Sequence, residues 1–289
     1  MTGAVLTLAR RDMKVFFRDR GLVLGSLMGA AIVFILYVLF IGEIMTKGYE
    51  DTVPDVASVI SAWAMSGVVA VVPVTVTIGA FSVMVNDRIN RRTDDFRISP
   101  MRSYEIAGGH LISTLVIGTV MTLLVLVLAE AYVVVNGGNI LSPLMMLEAV
   151  LVILLTVLSC GAIAFVIMMF INSSGALSVT NAMFGTMSGF LAGAYVPIGM
   201  YPTSVQSVLG FVPLTHSASL MRKVMMDDAY SGPLSDMDPG PLAEFGRDMG
   251  VDIYIGDVQI SPEVSIAVLV IVSVVLFAVA AYLVSLKRI

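Results

Sequence analysis

The 289-residue chain is 58% apolar and only 13% charged, with a mean hydropathy of +0.96, which excludes an ordinary soluble domain and marks a polytopic membrane protein. A single cysteine, Cys160, and two histidines, His110 and His216, exclude a disulfide framework and a cysteine- or histidine-rich metal centre. The formal net charge of −5 averages two surfaces of opposite sign and has meaning only loop by loop.

Residues 1–20 carry Arg10, Arg11, Lys14, Arg18 and Arg20, with Val5, Leu8, Phe16 and Phe17 between them. Basic and apolar positions partly separate at helical spacing, as in a helix lying along the inner membrane surface. A signal peptide also starts basic then apolar, but the run that follows is of full spanning length and no small-residue cleavage site follows it.

About 20 apolar residues cross a hydrocarbon core about 30 Å thick. Six runs qualify: Leu22 to Ile41, Ser61 to Val85, Leu111 to Val135, Leu144 to Ile171, Ala176 to Val196 and Val264 to Leu286. The first holds Gly25 and Gly29 after Gly21, and the fifth Gly185, Gly189 and Gly193. A small residue at every fourth position makes a smooth ridge along which two helices can pack closely, within a chain or between subunits. Pro73 kinks the second run near its middle, beside Thr75 and Thr77. Glu105, His110, Glu130 and Glu148 lie near span ends, where they read as interfacial anchors, and Trp63 and Tyr37 sit where interfacial aromatics are expected.

Twelve of the sixteen Lys and Arg residues lie in residues 1–20, in residues 86–105 and in the tail at Lys287 and Arg288. The excess marks the cytoplasmic side, so both termini are expected inside. The opposite side is acidic, with nine carboxylates from Asp227 to Glu263. The loop at 86–105 mixes signs, with Arg91, Arg92 and Arg97 around Asp94 and Asp95, which suits a protein surface better than a purely topological signal. The stretch from Gly185 to Arg222 begins as a span, then meets Pro197, Pro202 and Pro213 without losing its apolar character. Broken backbone at membrane depth must be buried in protein or line a cavity, so residues 197–221 read as short segments dipping into the outer leaflet, the alternative being an amphipathic surface loop. Residues 222–263 read as an outer loop with a brief strand-like piece at Val251 to Ile255.

No phosphate-binding G-x-x-x-x-G-K-[ST] loop, nucleophile elbow or H-E-x-x-H helix is present. The order of parts resembles the transmembrane subunit of a type-2 ABC exporter. The likeness rests on FFRDR (Phe16 to Arg20) in a basic amphipathic start, on six spans, and on the inner segment ISPMRSYEIAGGHL (Ile98 to Leu111). Most specific is GAYVPIGMYPTSVQSVLGFVPLTHSASLMR (Gly193 to Arg222), while the acidic outer insert is longer than the family needs. The resemblance implies a single all-α transmembrane domain, 1–289, that forms the substrate path and has no catalysis of its own. It implies an ATP-binding partner subunit carrying ATP and magnesium, a second copy or a paralogous permease, a cell membrane location, and no nucleic acid or chain-bound cofactor. It also implies docking of the 86–105 loop on the ATPase, an outer gate at Gly193, Pro197, Pro202 and Pro213, and a seam or path at Gly25, Gly29, Gly185, Gly189 and Pro73. A membrane-embedded lipid-modifying enzyme and an ion-coupled carrier are the alternatives.

Overall fold

The computed structural model describes residues 2–50, 52–92, 101–235, 237–256 and 258–286. Helix α1 (Thr2–Arg18) ends at Asp19, whose carboxylate accepts the Gly21 and Leu22 N–H groups and so caps α2 (Arg20–Leu36). A π-helical turn at Tyr37–Ile41 leads into α3 (Gly42–Tyr49), making one rod from Arg20 to Tyr49 that outruns the expected first span. The remaining helices are α4 (Val56–Ile89), α5 (Ser103–Val135), α6 (Pro143–Met168), α7 (Ser174–Leu191), α8 (Thr203–Leu209), α9 (Pro213–Met225), α10 (Asp227–Ser231), α11 (Pro239–Asp248) and α12 (Pro262–Leu286). Before α12, β1 (Ile253–Ile255) and β2 (Val258–Ile260) form an antiparallel hairpin, slightly later than the expected strand-like piece.

Among the described residues five helical stretches are long and apolar enough to cross a membrane: Arg20–Tyr49, Val56–Ile89, Ser103–Val135, Pro143–Met168 and Pro262–Leu286. The run expected as a fifth span, Ala176 to Val196, is the shorter and more polar α7. It stops at Leu191 because the chain turns at Gly193, whose φ of 63° is left-handed and costs a side-chain-bearing residue strain. Helix α7 nevertheless runs along much of α4: Asn181 lies beside Ser82, and Ala194, just past its end, packs on Gly67.

Helix α4 is the axis of the molecule. Its most apolar stretch is 94% buried, against 22% for α12, as expected of a helix apolar on all sides. Neighbours approach it where its side chains or theirs are missing. A Cβ on Gly79 would lie 2.8 Å from Ser26 of α2, and one on Gly118 of α5 would lie 3.3 Å from Thr77. Between lipid-solvated helices such close contact replaces the hydrophobic gain available in water.

Polar residues at the span ends are built into the fold rather than set at the interface. Arg11 of α1 forks onto Asp87 at the end of α4 and also reaches Asp12. Both carboxylates hold its guanidinium firmly charged, against the cost of burial. Asp12 lies 2.6 Å from His110 of α5 and within reach of Ser113. Helix α1 is therefore pinned to α4 and α5 by ionic hydrogen bonds as well as by its apolar side, where Phe16 is fully buried. Arg88 donates to the carbonyls of Met168, Met169 and Ile171, satisfying the open C-terminal end of α6. Glu105 accepts the Arg102 N–H in a capping box at the start of α5, and Glu130 accepts the Leu141 N–H. Trp63 is buried too, with its indole donating to Met249. Of the expected anchors only Glu148 stays exposed, because the others meet backbone groups or charges that lipid could not satisfy.

Asp87→Asn removes the charge that Arg11 grips. We expect a loss of about 2 kcal/mol, the worth of a hydrogen bond to an ionised group, read as a lower thermal midpoint in detergent; an unchanged midpoint would make the α1 clamp incidental.

Candidate functional site

Helices α2 and α7 diverge along α4 and leave a groove of about 770 Å³ between them. Gly25, Ser26 and Gly29 come from α2, Thr75, Gly79 and Ser82 from α4, and Asn181, Gly185 and Thr186 from α7, with Tyr195 at the end beyond α7. Among the described residues no charged side chain lines it. Its flanks are apolar and exposed, with Leu24 and Ile35 on one side and Val179 and Met187 on the other.

The two glycine ridges thus meet in one place, but their members differ in what they touch. A Cβ on Gly25 or Gly185 would meet nothing within 4 Å. One on Gly29 would lie 2.9 Å from Thr75 and 3.2 Å from the Gly185 carbonyl, so Gly29 is where α2 crosses α4 and α7. One on Gly189 would fall 2.2 Å from the Tyr195 ring, so this glycine seats that ring. Pro73 is buried in α4, two residues from Thr75, which does line the groove. The Thr77 hydroxyl donates back to the Pro73 carbonyl.

Beyond Tyr195 the chain folds into a short 3-10 turn at Ile198–Met200, then α8 and α9. Pro197 and Pro202 flank the 3-10 turn, and Pro213 opens α9 at a position where its missing N–H costs nothing. Helix α9 is anchored on both sides. His216 contacts the Gly210 carbonyl at 2.9 Å, so its Nε2 carries the proton, and its Nδ1 accepts from Ser265 of α12. Thr215 donates to Leu191 at the end of α7.

The centre of this assembly is Arg222, fully buried. Its Nη2 donates to the carbonyls of Ala192 and Gly193, each at 2.8 Å, and its Nη1 to Gly250 at 3.2 Å. The guanidinium also lies 5.3 Å from the centre of the Trp63 ring. Its carbonyl partners stand at the C-terminal ends of α7 and α11, where the helix dipole is negative. Among the described residues this cation has no carboxylate partner; backbone and an aromatic face compensate it in its place, its Nε alone making no hydrogen bond there. Gly250 takes a left-handed φ of 65° to turn its carbonyl inward. Ser219 donates to Val251 and Lys223 pairs with Asp252, so α11 and the hairpin form an ordered cap over α9.

At the other end of the molecule Arg91, with a left-handed φ of 57°, stops α4, and exposed Arg92 pairs with Asp87 at 3.6 Å. Asp94, Asp95 and Arg97 lie outside the described residues. Sequence reasoning included Arg222 in a motif without a role for it, and missed Asp12, Asp87 and Arg88. The available signal was the adjacent acid and base, Asp87 and Arg88, just past an apolar run that ends at Val85.

Arg222→Met would orphan three buried carbonyls at about 1 to 3 kcal/mol each. We expect the cap to become sensitive to protease and the thermal midpoint to fall, with Arg222→Lys recovering only part because an ammonium cannot match the planar fork. A cap as resistant as the wild type in Arg222→Met would remove this node.

A family model described as ABC-2 family transporter protein matches residues 43–282. Comparison with curated proteins and with solved structures returned no match. With that match over most of its length, and with helices long and apolar enough to cross a membrane several times, the chain belongs to the ABC-2 transporter family and is a multi-pass membrane permease.

Proposed function

We propose that this permease works in an ATP-driven export system, pairing with a second permease subunit and with separate ATP-binding subunits. The observation that carries the reading is the uncharged groove between α2 and α7, open along a row of exposed apolar flanks. Two such faces set against each other enclose a path across the membrane, with Gly25, Gly29 and Gly185 on its wall and Pro73 behind it.

In this reading α7 is a sixth span. Its eighteen residues rise about 27 Å, close to the core thickness of about 30 Å, and the Gly193 turn completes the crossing. Both termini then lie in the cytoplasm, as the basic residues of α1 and of the 86–105 loop require. The segment at 197–221 dips into the outer leaflet, exposing Met200, Val208 and Phe211 to lipid or to the path, while Arg222 and His216 hold its backbone against α4 and α12. Tyr195, Gly193 and the three prolines form the outer gate. The 86–105 loop docks on the ATPase, and α1, clamped through Arg11 and Asp87, moves with it.

Two experiments test this. Charge reversal at Arg91, Asp94 and Asp95 is expected to leave membrane insertion intact while ATP hydrolysis by the partner no longer responds to substrate, since losing one member of an interface pair costs about 2 to 5 kcal/mol. Arg92 is left alone because it also serves Asp87; substrate-stimulated hydrolysis at the wild-type level would take the loop out of coupling. For the seam, Met187→Cys in a Cys160→Ala background is expected to cross-link between subunits, and Gly25→Leu to abolish transport without unfolding the chain, as its Cβ would meet no atom of its own subunit within 4 Å. Absence of the cross-link in an active transporter would move the seam elsewhere.

A further inference from the structure

The groove joins a second feature of opposite character. Below Gly21 its wall passes through Arg20 and Asp19 to Arg18, and then into a hollow on α1 lined by Arg10, Arg11, Lys14 and Arg18. Arg10, Lys14, Arg18 and Arg20 are exposed, and among the described residues none of the four has an ion-pair partner. The one acid at this mouth, Asp19, is occupied by the N–H groups of Gly21 and Leu22. A basic entrance thus opens onto an uncharged trough about 22 Å long, the rise of the fifteen steps from Gly21 to Leu36 on the trough's α2 wall.

The trough is also poor in donors to spare. The hydroxyls of Ser26, Thr75, Ser82 and Thr186 donate to carbonyls of their own helices, at Val23, Val72, Ile78 and Ala182, which leaves the Asn181 amide and the Tyr195 hydroxyl. A glycan or an extended peptide needs partners along its whole length, and a wall this sparsely polar would leave many of its groups unpaired. An alkyl chain has no such requirement, and the glycines admit it close to the backbone.

We propose that the groove takes an anionic amphiphile from the inner leaflet, a phospholipid-like molecule whose acidic head sits among Arg18, Arg20 and Lys14 while its chain lies against Gly25, Gly29 and Gly185. As a statement of cargo class it rests on the reading of this groove as the transport path. The occupant is lipid-like rather than a soluble anion because the charged mouth and the apolar trough are continuous, and a soluble anion would leave the trough unfilled.

The test uses the full-length chain in nanodiscs with phosphatidylglycerol or phosphatidylcholine, at equal mole fraction, bearing the same photoactivatable diazirine tail. Labelled peptides are mapped by mass spectrometry. Labelling of 21–36 and 181–196 should favour phosphatidylglycerol about fivefold or more, the worth of one basic residue at an anionic surface. The exposed face of α12 at Ile271, Val274 and Tyr282 should show no preference. Arg18→Gln should lower the groove preference about fivefold and Arg18→Lys should keep it. Equal labelling by the two lipids in the groove, or the same preference on α12, would overturn the proposal and leave only an annular lipid. Inter-subunit cross-links at Met187→Cys without selective labelling would keep the path and discard this ligand. Selective labelling without cross-links would keep the ligand and discard its role as cargo on this path.

Discussion

A fully buried guanidinium that meets no carboxylate among the described residues is the constraint on which the Arg222 half of this permease depends. Removing Arg222 from water is costly, and the cost is met only if carbonyls are brought to it from several directions at once. Helix α7 must end at Ala192 and Gly193, α11 must end at Gly250, and Trp63 must stand at the top of α4. Each condition fixes an element that sequence distance would leave free. Two of the three carbonyls that meet it, those of Gly193 and Gly250, belong to left-handed turns that suit glycine.

The opposite half uses the same physics with a different partner. Arg88 satisfies the end of α6 as Arg222 satisfies those of α7 and α11, while Arg11 meets true anions in Asp12 and Asp87. Ionic knots therefore stand at both ends of α4, and between them lies an apolar bundle joined by glycine crossings. Lipid gives two apolar helices little reason to associate, so specificity falls to close backbone contact and to charges that must find partners. The groove is where this packing is deliberately left open: Gly29 closes one point of contact, while Gly25 and Gly185 leave the surface beside it smooth.

Exposed apolar residues on α2, α7 and α8 are unremarkable on a membrane protein, but they gain meaning beside an uncharged hollow whose hydroxyls on α2 and α4 already donate to their own helices. A wall of this kind offers a polyhydroxylated or multiply charged ligand few partners, whereas an alkyl chain needs none.

Much of this was legible in the amino-acid sequence. Apolar run length determined the all-helical membrane class and the helices around Ser61 to Val85, Leu111 to Val135, Leu144 to Ile171 and Val264 to Leu286, because the thickness of the bilayer imposes it. Glycine spacing picked out the two helices that border the groove, and the Pro-rich run to Arg222 carried the family likeness. Periodicity could not reveal that Gly25 faces open space while Gly189 seats Tyr195, since both have the same spacing and differ only in a neighbour contributed by a turn. Nor could it tell an interfacial carboxylate from a buried one: Glu105 and Glu130 read as anchors until the Arg102 and Leu141 amides come to meet them. Local composition sets which segments enter the membrane, and only tertiary structure decides which of their polar atoms meet a partner there, because those partners come from residues as distant in sequence as Asp12 is from His110.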